Sequence, residues 1–169
     1  MKASIFYLGD SIVAWNPNQR YQKYGIPGHT TLDMYWTLSK HPEIQGDVVI
    51  FSLGVNDIVY GYSAEKSFEH YESLFHILEE RFSTLVILSL LPTDSVKENQ
   101  EIQNYNAFLK QKSPFFCDLF SLFLDEKRER IALQYTTDGT HLSRMGYELL
   151  NQHLDSFMEP FFSLHDSSN

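Results

Sequence analysis

The sequence predicts an α/β fold: a three-layer α/β/α sandwich with a flavodoxin-like parallel sheet of about five strands. Short apolar segments of strand length alternate along the chain with longer segments whose apolar residues recur at helical spacing. The segment 47–53 is an almost continuous apolar and β-branched run, which is typical of a central parallel strand covered by helices on both faces. Right-handed crossovers would join such strands.

The elements follow one another without an internal repeat or a linker. The first predicted strand, 4–8, ends abruptly in Gly9-Asp10-Ser11, and a weak strand signal at 22–24 precedes a glycine and proline turn at 25–28. The pattern then predicts a helix that Thr30 or Thr31 caps and Pro42 ends, a strand at 47–53, a helix at 64–82, a strand at 84–91, a helix at 101–112, a strand at 115–122, a solvated helix face at 126–130 and a helix at 143–157.

The length of 169 residues predicts one domain, residues 1–162, followed by a tail at 163–169 that we expect to fray. Hydrophobic residues make up 43% of the chain, which is enough for a sizeable core. Phe157, Phe161 and Phe162 are expected to pack either on the domain or on a second copy, so the sequence leaves a homo-oligomer open.

The net charge of −9 and the isoelectric point near 5.1 argue against nucleic acid or an anionic membrane as a partner. Cys117 is the single cysteine, which excludes an intrachain disulfide and a cysteine-based zinc site. Because the first strand begins almost at Met1, cleavage of a leader would remove Ser11, and we expect a cytoplasmic protein. No apolar run approaches the roughly 20 residues that span a bilayer.

Polar residues follow several predicted strands at the edge where a parallel sheet binds ligands. Ser11 follows the first strand, Asn56 follows the strand at 47–53, and the turn containing Gly28 lies between them in sequence. Asp138 and His141 precede the last helix and can close over the same edge. We therefore expect these five residues to face one crevice.

Together these residue types supply the parts of a serine acyl-transfer site. Ser11 needs a base within hydrogen-bond reach, and His141 is the candidate, with Asp138 three residues earlier to orient its imidazole. The N–H groups of Ser11 and Gly28 and the amide of Asn56 would form the oxyanion hole. Each signal alone has a simpler explanation, since Gly-Asp-Ser and Asn-Asp are common turn sequences and Asp138 can cap a turn beside a solvated histidine.

The arrangement resembles the SGNH hydrolases, also called the GDSL-like esterase and lipase family. The four blocks that carry the resemblance are Gly9-Asp10-Ser11, the turn containing Gly28, Gly54-Val55-Asn56-Asp57 and Asp138-Gly139-Thr140-His141-Leu142. The resemblance implies a Ser11, His141 and Asp138 triad, an oxyanion hole of Ser11, Gly28 and Asn56, and catalysis without a metal or organic cofactor. The chain departs from the family pattern at Ile12, Lys23 and His29, which leaves the substrate preference open.

Five residues are expected to border the substrate: Asp10, Trp15, His29, Val55 and Tyr60. For Asp10 we also expect a role in holding the nucleophile turn through hydrogen bonds, and for the aromatic residues ordinary packing is an equal alternative. The short chain leaves little room for a lid, which favours a shallow site and small acyl groups such as acetyl. The other histidines lack zinc-motif spacing and are expected at the surface, without a metal: His41, His70, His76, His153 and His165.

The sequence thus predicts a serine esterase, of the acetylesterase type, that acts on short-chain acyl esters such as an acetylated carbohydrate or metabolite. A lysophospholipase or thioesterase of the same family is the alternative within this class. Two alternatives of another class remain: a non-catalytic binding module that keeps the fold with a misaligned triad, and a flavodoxin-like module that binds a nucleotide or phosphate at the turn 25–28. That turn lacks the longer glycine fingerprint of such sites, and the acidic charge counts against it.

Overall fold

A computed structural model describes the backbone of residues 3–166 and the side chains of residues 3–162. Five strands form one sheet in the order β2-β1-β3-β4-β5, and every neighbouring pair is parallel. This is the flavodoxin-like order, so the predicted fold class is confirmed. The strands are β1 Ile5–Gly9, β2 Gln22–Gly25, β3 Gly46–Ser52, β4 Phe82–Leu88 and β5 Phe116–Cys117.

Helices cover both faces of this sheet. Alternate residues of β3 enter different cores. Val48 and Ile50 pack with apolar residues of the segment 147–161, whereas Val49 and Phe51 pack with those of the segments 34–38, 71–78 and 102–109. Burial on both faces explains the continuous apolar run at 47–53. The helices are α1 Ser11–Ala14, α2 Thr31–Lys40, α3 Val55–Val59, α4 Ala64–Arg81, α5 Val96–Lys110 and α6 Arg144–Asp166, with 3-10 turns at Phe120–Phe123 and Leu133–Tyr135.

Two predicted elements near the sheet edge are wrong in extent or type. The strand expected at 115–122 ends after Cys117, because the next backbone donors turn to side chains: Leu119 N–H donates to Ser89 Oγ at 2.9 Å. The charged run 126–130 is exposed as expected but is a turn rather than a helix, since Asp125 Oδ1 accepts the N–H of Glu129 at 3.0 Å.

Two further boundaries differ from the prediction. β4 covers 82–88 rather than 84–91, because the side-chain amide of Asn106 pairs with both backbone groups of Leu90, at 2.8 and 3.0 Å, and draws it away from the sheet. α5 begins at Val96 rather than at 101, with Ser95 as its N-cap.

The final helix continues past the predicted end at Phe157 to Asp166, and residues 167–169 of the expected tail lie outside the described residues. Phe161 is buried in the core beneath α6, and Phe157 and Phe162 pack against the same core. The terminal aromatic residues therefore pack on their own domain. Within residues 3–166, no helix is both long and apolar enough to cross a membrane.

Asp57 joins the segments that follow β2 and β3. Its side chain is 0% exposed and accepts hydrogen bonds from Thr31 N–H at 2.8 Å, Thr31 Oγ1 at 2.6 Å and Ser67 Oγ at 2.7 Å. Tyr105 Oη donates in turn to Ser67 Oγ at 2.9 Å. One buried carboxylate thus ties the starts of α2 and α3 to α4 and α5.

We expect Asp57→Ala to lower the free energy of unfolding by about 3–5 kcal/mol, because it leaves three buried donors without an acceptor. Urea denaturation measures this. Asp33→Ala is the matched control: Asp33 is exposed at the start of α2, the helix that Asp57 holds through Thr31, and it completes a capping box with Thr30, so its loss should cost about 1 kcal/mol. Equal losses in the two variants would contradict the role of Asp57.

Candidate active site

Ser11 lies at the junction of β1 and α1. The chain leaves β1 at Gly9, Asp10 caps the helix by accepting the N–H of Ile12 at 3.0 Å, and Ser11 is the first helical residue. An N–H at this position has no acceptor within its own helix. Ser11 is 8% exposed. The turn therefore places its hydroxyl and its backbone N–H at the carboxyl end of β1, largely shielded from bulk solvent.

The turn before α6 is organised around the carboxylate of Asp138. Its Oδ1 accepts the N–H groups of Thr140 at 2.9 Å and His141 at 2.7 Å, and its Oδ2 lies 2.6 Å from His141 Nδ1. The turn is anchored from outside by Asp94, whose N–H donates to Gly139 O at 2.9 Å. The three-residue spacing of Asp138 and His141 therefore produces the pairing that the sequence predicts.

These hydrogen bonds determine the protonation state of the pair. The N–H donors of His141 and Thr140 and the imidazole itself lower the pKa of Asp138 to about 2, so the side chain is a carboxylate at neutral pH. A carboxylate only accepts, and Nδ1 of a neutral His141 must carry the proton. Nε2 is then the basic nitrogen.

Gly28 occupies a tight turn of residues 26–29. His29 N–H donates to Ile26 O at 3.1 Å and Gly28 has a φ of 80°, the geometry of a type II turn with Pro27 at its second position. This turn hydrogen bond does not use the N–H of Gly28. Lys23, a departure from the family pattern, donates to the carbonyl of Asn16.

Asn56 lies in the first turn of α3, and its Nδ2 donates to His29 O at 2.9 Å. One amide proton is thereby held by the turn that contains Gly28, and the second is available to a ligand. Gly54, the N-cap of α3, has a φ of 149°, and a Cβ there would lie 1.9 Å from Tyr71 Oη. Only glycine fits this approach to the sheet.

A cavity of about 310 Å³ joins these groups. It contains Ser11, Asn56, Asp138 and His141, so the structure brings together four of the five predicted catalytic residues, and Gly28 lies outside its lining. In the described part of the chain no hydrogen bond joins Ser11 Oγ to His141, which is common in ligand-free sites. The remaining lining residues are Asp10, Ile12, Ser52, Val55, Val59, Leu90, Leu91, Pro92, Thr93 and Thr140.

The sequence predictions missed one wall of this cavity, Leu90 to Thr93. These residues follow β4 at the same sheet edge as Ser11 and Asn56. The signal was present, since any segment that leaves the carboxyl end of a central parallel strand is a candidate. Placing 84–91 within the strand obscured it.

Among the five residues predicted to border the substrate, only Asp10 and Val55 line the cavity. His29 is turned away, with Nε2 2.8 Å from Thr37 Oγ1. Tyr60 is exposed, and its hydroxyl lies over Gly28. Trp15 is exposed, and its ring contacts that of His141 at a tilt.

The other histidines and the carboxylates form no metal site in the described residues: no group of three or more potential ligands converges. His76 is exposed, and His41, His70 and His153 are partly exposed. His70 is not isolated, because its Nδ1 lies 3.0 Å from Thr31 Oγ1. The side chain of His165 lies outside the described residues.

Asp10 and Asp138 line the same cavity in opposite environments. Asp10 is buried, and loss of solvation raises its pKa to about 6, against the opposing effects of its backbone hydrogen bonds and of His141. Asp138 is largely exposed and stabilised as an anion by hydrogen bonds. Ionisation of Asp10 therefore destabilises the folded protein, whereas ionisation of Asp138 does not.

We expect Asp10→Asn to stabilise the protein by about 1–3 kcal/mol at about pH 8 and to have no effect at about pH 4. A carboxyl whose pKa is raised on folding stabilises below its unfolded value of 3.8, and that stability is lost as the pH rises through about 6. Asparagine avoids the loss and can still accept the N–H of Ile12. Urea denaturation at both pH values measures the difference.

Asp138→Asn is the control for this comparison, because the pKa of Asp138 is lowered on folding and its neutral substitute should gain nothing at about pH 8. A loss of stability in Asp10→Asn at about pH 8 would contradict the prediction, because it would show that the buried charge of Asp10 does not lower the free energy of unfolding.

Comparison with known proteins places this geometry in a family. The model of the GDSL-like Lipase/Acylhydrolase family matches residues 4–149. Two similar solved structures are a GDSL-like lipase from Bacteroides thetaiotaomicron VPI-5482 (18% identity, 92% of this chain and 87% of that chain, TM-score 0.75) and the acetyl xylan esterase AlAXEase (18% identity, 90% and 98%, TM-score 0.75). At this identity the two structures establish the shared fold.

A curated relative is the N-acylneuraminate cytidylyltransferase of Streptococcus agalactiae serotype III (strain NEM316), which is 27% identical over 169 residues. The alignment covers 94% of this chain and 39% of that protein, so the chain spans about two fifths of its relative's length. The family match covers most of the chain and includes every segment of the site. The chain belongs to the GDSL-like lipase/acylhydrolase family.

Proposed function

We propose that the protein is a serine esterase in which Ser11 is the nucleophile, His141 the general base and Asp138 the residue that orients it. The observation that carries this proposal is the 2.6 Å contact of Asp138 Oδ2 with His141 Nδ1 in the cavity that also contains Ser11. The contact leaves Nε2 basic and directs the proton on Nδ1 toward a carboxylate, the orientation that a serine hydrolase requires.

The reaction proceeds in two halves. Ser11 Oγ attacks the ester carbonyl carbon while its proton passes to His141 Nε2, and Asp138 stabilises the imidazolium. The tetrahedral intermediate collapses, the bond to the alkoxy oxygen breaks, and His141 returns the proton to the departing alcohol. Water then attacks the acyl-serine with the same base, releasing the carboxylic acid and restoring Ser11.

The negative charge on the carbonyl oxygen needs donors already in place. We assign this role to the N–H of Ser11, the N–H of Gly28 and the free amide proton of Asn56. Three features support it: Ser11 is the first residue of its helix, the type II turn does not use the N–H of Gly28, and Asn56 is oriented by His29 O. Removal of one such donor typically costs 10²–10³ in kcat.

Cavity size and polarity favour small neutral esters. About 310 Å³ corresponds to about ten non-hydrogen atoms at the volume of liquid water per molecule. Val55, Val59, Leu90 and Leu91 supply an apolar wall for the acyl group. No Lys or Arg occurs among the described lining residues, whereas two carboxylates do, which counts against lysophospholipids and anionic thioesters.

Acetylated carbohydrates fit these limits, since an acetyl group fills little of the cavity and the sugar can remain at its mouth. The similar acetyl xylan esterase bears a name of this kind, and the curated relative is named for a reaction of N-acylneuraminate. We therefore choose acetylated xylose and O-acetylated neuraminate as test substrates. The first is neutral and the second is an anion, so the pair tests the effect of the two carboxylates in the cavity.

Hydrolysis of p-nitrophenyl acetate tests the triad. Ser11→Ala should lose at least about a thousandfold in kcat/KM because the nucleophile is gone, and Asp138→Asn about 10²–10⁴ because His141 loses its orienting anion. Ser73→Ala is the matched control, an exposed serine on α4 whose hydroxyl donates to Glu69 O. It should keep the wild-type rate.

An inactive wild type, or a Ser11→Ala variant as fast as the wild type, would refute the esterase. The nucleotide-binding alternative would instead give a rise in melting temperature with mononucleotides.

The substrate class is tested with p-nitrophenyl acetate, butyrate, octanoate and decanoate. We expect kcat/KM to fall by about tenfold or more from butyrate to decanoate, because the longer chain exceeds the cavity. Acetylated xylose should be hydrolysed faster than O-acetylated neuraminate, whose carboxylate meets Asp10 and Asp138. Rates that rise with chain length, or a preference for the anionic sugar, would contradict this substrate class.

A further inference from the structure

Trp15 contacts the proposed base although it does not line the cavity. Its ring centroid lies 4.7 Å from that of His141 with the planes inclined by 51°. Trp15 is 54% exposed, so it is not a core residue. This contact rather than burial in the core distinguishes it.

The His141 ring has few other restraints. It sits on a turn whose Asp138 side chain is 54% exposed, and among the described residues its ring nitrogens make one hydrogen bond, at Nδ1. A hydrogen bond at one atom restrains that atom but permits the ring to tilt about it. A second contact, on the face of the ring, is needed to define its plane and thereby the direction of Nε2.

The backbone of Trp15 is fixed on both sides. Its N–H donates to Ser11 O at 2.9 Å, so the tryptophan caps the C-terminus of the short helix that the proposed nucleophile begins. Asn16 follows, is buried, and forms a reciprocal amide pair with Asn151 of α6 at 2.9 and 2.8 Å. Trp15 is therefore held relative to Ser11 and to the helix that begins just after His141.

We propose that Trp15 is a positioning residue: its indole sets the plane of the His141 imidazole so that Nε2 faces the Ser11 hydroxyl. This inference rests on the proposed function, because it assigns His141 as the base. The electron-rich indole face also attracts the imidazolium that forms when His141 takes the proton from Ser11. Trp15 thus acts through His141 and needs no contact with the substrate.

Steady-state kinetics with p-nitrophenyl acetate separate positioning from substrate binding. Trp15→Ala should lower kcat by about 10- to 100-fold with KM within about twofold of wild type, since misplacement of a catalytic group by about 1 Å has such effects. Trp15→Phe retains a ring and should recover most of kcat. Trp36→Ala is the matched control, a tryptophan of almost equal exposure, 55%, on α2, and should keep wild-type kinetics.

Fluorescence reports the contact itself. The chain has two tryptophans, so Trp36→Phe leaves Trp15 as the sole indole. An imidazole in contact with an indole alters its emission, so adding His141→Gln should change the emission of Trp15 at constant pH. This readout needs no turnover and remains informative if Trp15→Ala folds poorly.

Three outcomes would overturn the inference. One is a raised KM with unchanged kcat in Trp15→Ala, which would make Trp15 a contact of the substrate. The others are unchanged kinetics in Trp15→Ala and a Trp15 emission that is the same with and without His141. An inactive wild type would refute the proposed function instead, and the fluorescence comparison would still test the contact between the two rings.

Discussion

The buried carboxylate of Asp57 is the interaction that holds together the two segments carrying Gly28 and Asn56, the proposed oxyanion donors. It accepts a backbone N–H and two hydroxyls, and in doing so holds the start of α2 beside the start of α3. Gly28 and Asn56 lie within three residues of these anchored positions along the chain. Because both segments are held in this way, the side chain of Asn56 lies within hydrogen-bond distance of His29 O. A motif residue with no role in chemistry thus places two candidate donors.

The opposite side of the cavity is built differently. Asp138 and His141 lie on a partly exposed turn, which depends on short-range hydrogen bonds and on the contact with Trp15. In the proposed reaction, the hydrogen-bonded side would preorganise the oxyanion donors, and the exposed side would give the leaving alcohol and the incoming water access to the base. The division suits an enzyme that releases one product before the second half of its reaction.

Two carboxylates in one cavity acquire different properties from their surroundings. Burial raises the pKa of Asp10 to about 6, and three hydrogen bonds lower the pKa of Asp138 to about 2. The adjacent position of Asp10 in the chain suggests a partner for Ser11, but its Oδ1 is occupied by Ile12 N–H and caps the helix. Environment, more than sequence proximity, separates the structural carboxylate from the one that faces His141.

The sequence by itself determined the sheet and the local parts of the site. Strand β3, the turn at Gly28 and the pairing of Asp138 with His141 all arise within a few residues, where periodicity and turn chemistry act directly. Three features became visible only in the tertiary structure: the end of β4 at Leu88, the short β5 and the contact of Trp15 with His141. Each depends on partners far away in the chain: Asn106 draws Leu90 from the sheet, Ser89 ends β5, and α6 holds the segment that follows Trp15. Contacts of this kind leave no periodic signal, because they are set by how the helices pack on the sheet.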